Sequence, residues 1–550
     1  MKHVFLNLIH ESKVAGIETT ITKLKLLFLV NIIGSTSLII ILIDTFYKYM
    51  HSQPITLVNF ISLTIASILS CILPLYHLYI KFRILGLRQR IDSELPYFLV
   101  LASIADSVGI PLYDYLISEQ ILTCFKGIGV ESKKLKELLN INPNPIEALA
   151  TLSNFTPSKN FSKFTKGYIR VLSEGGDIKL FYDIQISEAY HDLTRKYSQW
   201  SKLVAIIVEA FLIIGFSTTI IVAIAWLMGF TVIEILYMQA YLFIPLMTIT
   251  SIVLIHTLKP SSEFLSVPEV KAIIKNILIT TLMASVFFFI LKGYYILKLS
   301  ELYMLTMSIG LLTFGIINYI VIHKPYKDVD EHVISILRKL LDHSKIGHAI
   351  DIMLLNNPLQ TNSKVLTRTL NEIIARLRHG GRLYTYAKSL KNFRLKYLIL
   401  LLDIVVLSGS LMTGIIEKVI DYLIEIKKIK KETLSNLKLY EILSIAFPPL
   451  FFLLSLILTS ALSNFFETLT TYSIGSLTLV TAYQLNVHEL SLTLLSVFSI
   501  LSISLTLVVA KAIDNTILLT HRAGVVLLLN MLVYKFYSIF SSTLLPDLIG

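Results

Sequence analysis

The sequence predicts an all-α polytopic membrane protein of about 9–10 transmembrane helices, with two cytoplasmic helical bundles arranged as a parallel internal repeat. Three observations predict it. Of the 550 residues, 54% are hydrophobic and only 16% charged, with a mean hydropathy of +0.71, whereas an ordinary soluble protein carries about 25% charged residues. Apolar runs of roughly 20 residues, the length that crosses a bilayer, recur along the chain. Two polar stretches, 81–202 and 324–440, interrupt those runs, and each is followed by a pair of them.

The runs fall near 24–46, 55–80, 203–228, 232–258, 273–297, 301–323, 439–463, 467–486, 489–511 and 523–542, the last with Lys535 inside it. The chain divides accordingly into 1–80 with the first hairpin, a polar bundle at 81–202, spans at 203–323, a second bundle at 324–440, and spans at 441–550. The opening MKHVFLNLIHESK has too short an apolar run for a secretory signal, so no cleaved leader is expected. The two cysteines, Cys71 and Cys124, support neither a disulfide framework nor a metal cluster.

The net charge of +12 is unevenly placed. Lys81, Arg83, Arg88 and Arg90 follow the second span, Arg195, Lys196 and Lys202 precede the third, and Lys427, Lys428, Lys430, Lys431 and Lys438 close the second polar stretch. Lys and Arg close to span ends mark the cytoplasmic side, so both bundles are expected in the cytoplasm of a cell-membrane protein. Ten spans put both termini inside. They also put Lys511 and Arg522 outside, so the rule is silent on the final hairpin. The basic excess fits attraction to anionic membrane lipids. Nucleic acid is not expected as a partner, because no basic stripe is interleaved with exposed aromatics.

The repeat rests on short matches in the same order. Asp114-Tyr115-Leu116 answers to Asp351-Ile352-Met353 (351 − 114 = 237), Asn154-Phe155 to Asn392-Phe393 (393 − 155 = 238), and Val171-Leu172-Ser173 to Val406-Leu407-Ser408 (406 − 171 = 235).

Within the bundles the period is helical. Val333, Ile336, Leu337, Leu340 and Leu341 define one apolar face, with Glu331, Arg338, Lys339 and Asp342 opposite. Asp92-Ser93-Glu94-Leu95-Pro96 reads as a helix start, with Asp or Ser as cap and the proline in the first turn. Gly109-Ile110-Pro111, Asn142-Pro143-Asn144-Pro145, Thr156-Pro157-Ser158, Gly175-Gly176, Asn356-Asn357-Pro358 and Gly380-Gly381 are breakers. From Ile178 and from Gly414, polar helices run into apolar spans without a strong breaker, which makes each connection stiff. In the second of them Glu417, Asp421 and Glu425 recur every four residues, and lysines crowd the far end.

Sites for chemistry are scarce. No Gly-Lys dipeptide occurs, which excludes a G-x-x-x-x-G-K-[ST] phosphate loop. The thirteen histidines are dispersed, no H-E-x-x-H or G-x-S-x-G occurs, and Ser408-Gly409-Ser410 has no partner that makes a nucleophile of it. The chain reads as a non-enzyme with no cofactor and no metal. Glu209 and Glu441 lie near the starts of matching spans (441 − 209 = 232), where snorkelling or inter-helix pairing is expected.

The first bundle carries E-L-P-Y-F-L at Glu94–Leu99, G-I-P-L at Gly109–Leu112, and S-E-G-G-D at Ser173–Asp177 before a long polar helix and two spans. This order resembles the F domain of type II secretion systems, shared by the platform proteins of type IV pili, tight-adherence pili and the archaeal archaellum. It looks closest to archaeal pilus or archaellum platforms. The second bundle departs from the pattern, with Glu331-His332-Val333, Ile346-Gly347-His348-Ala349 and Ser408-Gly409-Ser410-Leu411 at the three places. The resemblance implies a platform that engages a hexameric secretion ATPase and inserts pilin or archaellin subunits into a filament, as a monomer or a homodimer. It carries over to Glu94, Pro96, Gly109, Pro111, Ser173, Glu174, Gly175, Gly176 and Asp177, assigned first to helix starts and turns and second to ATPase contact. Ser408, Gly409, Glu417, Asp421 and Glu425 are the interface candidates of the second bundle. A duplicated secondary transporter is the alternative, and it predicts broken helices and paired charges near the membrane midplane.

Overall fold

The structure is a computed structural model that describes residues 30–31, 33–37, 40–41, 43, 57–228, 233–260, 277, 299–324, 329–346, 364–379, 381–390, 393–408, 413–471 and 487–543, and among them there is no strand. The helices are α1 (Leu57–Ser107), α2 (Leu112–Ile117), α3 (Glu119–Cys124), α4 (Ile128–Ile141), α5 (Pro145–Phe155), α6 (Lys159–Glu174), α7 (Ile178–Met228), α8 (Ile233–Met238), α9 (Ile244–Leu258), α10 (Leu299–Asn318), α11 (Val329–Lys345), α12 (Lys364–Arg378), α13 (Tyr384–Ala387), α14 (Phe393–Ser408), α15 (Thr413–Thr471), α16 (Val487–Asp514) and α17 (His521–Thr543). Wider π turns follow α8 at Gln239–Phe243 and α10 at Tyr319–His323.

Two compact units form. The main parts of the first are Met1–Tyr190 and Gly381–Gly409; the second contains His191–Pro260, Phe264–Gly380 and Ser410–Gly550. Polarity groups 381–409 with the second bundle, but packing groups it with the first. The reason lies in α14, FRLKYLILLLDIVVLS, which is apolar on nearly every side and therefore suits a core, not a surface. In the first unit it packs on α1 and α3, with the ring of Tyr97 edge-on to Phe393 at 5.4 Å and to Tyr397 at 5.3 Å.

The core of the first unit centres on Phe98, whose ring lies 6.1–6.4 Å from Tyr115, Phe125, Phe161 and Phe164. This arrangement corrects the reading of Asp92–Pro96 as a helix start. Pro96 sits inside the continuous helix α1. An interior proline costs about 3 kcal/mol. Leu95, Tyr97, Phe98 and Leu99 beside it are all buried, and full burial of one large apolar side chain contributes about 1.5–3 kcal/mol. Packing therefore outweighs the missing hydrogen bond.

Six helical segments among the described residues are long and apolar enough to cross a membrane, within Ile178–Ile224, Ile233–Leu258, Leu302–Val321, Ile416–Asn464, Glu489–Asp514 and His521–Ile539. The chain is a multi-pass, all-α membrane protein. These segments match the spans expected at 203–228, 232–258, 301–323, 439–463, 489–511 and 523–542. Of the span expected at 24–46, residues 30–31, 33–37, 40–41 and 43 are described and helical; of 273–297 only Ile277 is described; and that at 55–80 falls in α1. Of 467–486, the first five residues extend α15 to Thr471, and 472–486 lie outside the described residues.

In the second unit α16 is the central helix, with 72% of its apolar window buried against 22–39% for the other five. Its rings meet α15 at Phe452–Phe498, 5.7 Å apart. Lys259, just past α9, donates to the Ala512 carbonyl at 3.0 Å, and Glu441 of α15 accepts from Arg522 of α17 at 2.7 Å. The ends of α9 and α16, the start of α17 and the point where α15 turns apolar thus share one end of the bundle. Ten alternating spans place Lys511 and Arg522 opposite Glu441 and Lys259; the structure places them on the same end, because α16 runs antiparallel to the apolar half of α15.

Positions about 236 residues apart in the chain also meet. Helices α6 and α14 each have 16 residues and start 234 positions apart (393 − 159), and α7 and α15 start 235 apart (413 − 178). In the second unit α7 and α15 run parallel: Thr219 and Ser455 hydroxyls lie 2.8 Å apart (455 − 219 = 236), and a Cβ at Gly215 would lie 3.1 Å from Phe451 (451 − 215 = 236).

Candidate functional site

The sequence motifs of the first unit converge on helix ends. Glu94 is buried in mid-α1, and its carboxylate accepts the backbone N–H groups of Lys126, Gly127 and Ile128 at 2.9 Å each. These are orphan donors at the start of α4, which an anion satisfies. A Cβ at Gly127 would stand 2.7 Å from the Ile91 nitrogen, so α4 can approach α1 this closely only through a glycine. Burial raises the Glu94 pKa; the three N–H groups and Arg90 oppose it, and the balance leaves it pushed up to about 7. Asp92 accepts from the Ser158 hydroxyl, which in turn accepts the Phe161 N–H as the cap of α6. The acids of D-S-E-L-P therefore serve the starts of two other helices, not their own.

Gly109 (φ +86°) closes α1, with Ile110 N–H donating to Ala105 O at 2.9 Å, and Pro111 caps α2 in an extended conformation. In S-E-G-G-D, the Ser173 hydroxyl donates to Arg170 O, and Gly175 (φ +68°) ends α6, after which Gly176 N–H returns to Val171 O at 2.9 Å. Nothing lies within 4 Å of a Cβ at Gly109 or Gly175, so the left-handed backbone, not space, demands glycine there. Asp177 accepts Lys179 and Leu180 N–H at 2.9 and 3.1 Å and so starts α7. All five residues of this turn are exposed. Past it, Leu180 and Ile184 are 57% and 50% exposed, one helical turn apart on α7.

The second set of candidates is dispersed. Ser408 is the last residue of α14, and Gly409 lies outside the described residues. Glu417, Asp421 and Glu425 are exposed along α15, where Glu417 pairs with Lys345 of α11 at 3.4 Å. Lys427 pairs with Glu331 at 2.7 Å and holds its carboxyl below the usual range. Val333, Ile336, Leu337, Leu340 and Leu341 of α11 are buried, as their spacing predicts.

Of two polar nodes, the first escaped the sequence reading, and of the second only the inter-helix pairing of Glu441 was expected. Asp403 of α14 is buried and accepts Gln120 Nε2 at 2.6 Å and the Leu383 N–H at 2.8 Å, joining α3, α13 and α14; burial raises its pKa against these donors. The signal was an acid in the run LILLLDIVV, which is costly unless hydrogen-bonded. In the second unit Arg522 joins Glu441 and Asp514, and its side chain is 11% exposed. Among the described residues no group of three or more His, Cys, Asp or Glu could hold a metal.

The chain matches no protein-family profile, no curated protein and no solved structure.

Proposed function

We propose that this chain is the cell-membrane platform of a type IV pilus-like filament or secretion machine of the type II secretion F-domain class. A cytoplasmic hexameric ATPase docks on its polar helical units, and the platform passes the motion on to pilin or archaellin subunits in the membrane. One observation carries the reading: the exposed S-E-G-G-D turn opens directly into α7, a single helix of 51 residues whose far part is apolar enough to span a bilayer. At 1.5 Å per residue such a helix is about 75 Å long. A push on its polar end reaches the membrane without an intervening loop.

Further support comes from the order of the three motifs, from the lack of a phosphate loop of the chain's own, and from the Lys and Arg near span ends, which favour a cytoplasmic side for the polar units. The near-constant spacing of α6–α7 and α14–α15, and the parallel seam at Thr219–Ser455, support a duplicated origin of the two halves. Deleting the gene tests the function. Loss of surface filaments, restored by the gene in trans, is expected; filaments unchanged by the deletion would refute it.

A further inference from the structure

The turn joining α16 to α17 is a junction. Lys259 beyond α9 reaches Ala512 O, Thr520 donates to Leu311 O of α10 at 2.6 Å, and Asn318 of α10 lies 3.4 Å from Leu518 O. These ties run to backbone carbonyls and join α9 and α10 to the hairpin. The tie from α15 is of another kind. Arg522 Nε and Nη2 each lie 2.7 Å from the same Glu441 oxygen, and Nη1 binds Asp514 across the turn. Side-chain exposures of 11% for Arg522, 10% for Asp514 and 29% for Glu441 mean that the cluster is largely removed from water. Glu441 also stands where the polar part of α15 gives way to its apolar part, one residue after Tyr440, which hydrogen-bonds Glu209 of α7 at 3.3 Å.

A part-buried ion cluster of this kind is a poor source of stability, since apolar replacements of similar volume are often neutral or better. What it supplies is a unique register, because two acids and one planar guanidinium fit in one relative position only. We propose that Arg522 is a positioning residue: with Glu441 and Asp514 it clamps α15 to the α16–α17 hairpin, so that displacement of α15 carries the central helix α16 with it. This rests on the platform reading given above, and it names the joint through which the second half of the chain delivers motion to the membrane core.

The test uses the full chain in lipid nanodiscs, its two cysteines replaced by alanine and spin labels placed at the exposed positions Leu450 of α15 and Leu532 of α17. The native cluster gives one narrow distance distribution. In the apolar variant Glu441→Leu/Asp514→Leu/Arg522→Met the distribution widens roughly twofold, Tm stays level or rises, and filament yield in the complemented deletion strain falls about tenfold. An unchanged distribution overturns the clamp. So does a loss of filaments that merely follows loss of folded protein, since the cluster is then a folding requirement. A widened distribution in a strain whose filaments never depended on the gene leaves the clamp standing and removes the platform reading alone.

Discussion

Glu94 and Gly127 hold each other in place: the carboxylate accepts the Gly127 N–H at 2.9 Å, and the absent side chain of Gly127 lets α4 come within reach of it. Neither residue works without the other. A larger residue at 127 drives α4 away from the acid, and loss of the acid leaves three N–H groups, those of Gly127 and Ile128 buried, without their acceptor.

Replacing Glu94 by alanine removes an acceptor shared by three N–H groups, and leaving a buried donor without its partner costs about 1–3 kcal/mol. Chemical denaturation followed by circular dichroism should show a loss of about 2–3 kcal/mol, and Glu94→Gln, which keeps one carbonyl oxygen, a smaller one.

The same acid makes stability depend on pH. Its folded pKa of about 7 lies above the ordinary 4.5, so the folded chain holds this proton more tightly than the unfolded chain. Its stabilising contribution is complete below pH 4.5 and is lost as pH rises through 7. The full change is roughly 3 kcal/mol. Unfolding measured from pH 4.5 to 8 should show this decline in the native chain, and the Glu94-dependent part should vanish in Glu94→Gln.

Two glycines of the first unit should respond oppositely to alanine. Gly127→Ala places a Cβ 2.7 Å from the Ile91 nitrogen, a clash with backbone that cannot rotate away, and should cost about 1–3 kcal/mol. Gly86→Ala in α1 meets nothing within 4 Å and should stabilise by about 0.5–1 kcal/mol. Equal effects in thermal unfolding would contradict the close approach of α4 to α1.

In the membrane part, a Cβ at Gly524 would lie 2.7 Å from the Leu312 nitrogen and from the Ser308 oxygen, so α10 and α17 cross backbone to backbone. Small residues permit such crossings. Gly524→Val should therefore reduce the folded yield in detergent far more than Leu532→Val, whose side chain is exposed on the same helix.

The helices and their faces were legible in the sequence because their cause is local. The α11 face follows from spacing alone, and so do the six matched spans. The roles of Glu94 and Asp92 were not, because their partners at Lys126–Ile128 and Ser158 stand 32 or more positions away. Pro96 misled for the same reason: local chemistry says start, and the burial of Phe98 and its neighbours overrides it. The placement of α14 could have been read from its uniformly apolar sequence with one acid inside. The junction at Arg522 could not, since α15, α16 and α17 meet there only after the chain has folded.

The platform reading is tested most directly by titrating the full chain in nanodiscs with the purified hexameric secretion ATPase of the same organism, alongside a Leu180→Asp variant that alters the exposed start of α7. The account predicts saturable binding that the variant weakens at least about tenfold, or 1.4 kcal/mol. No binding by the native chain, or equal binding by both, would contradict it.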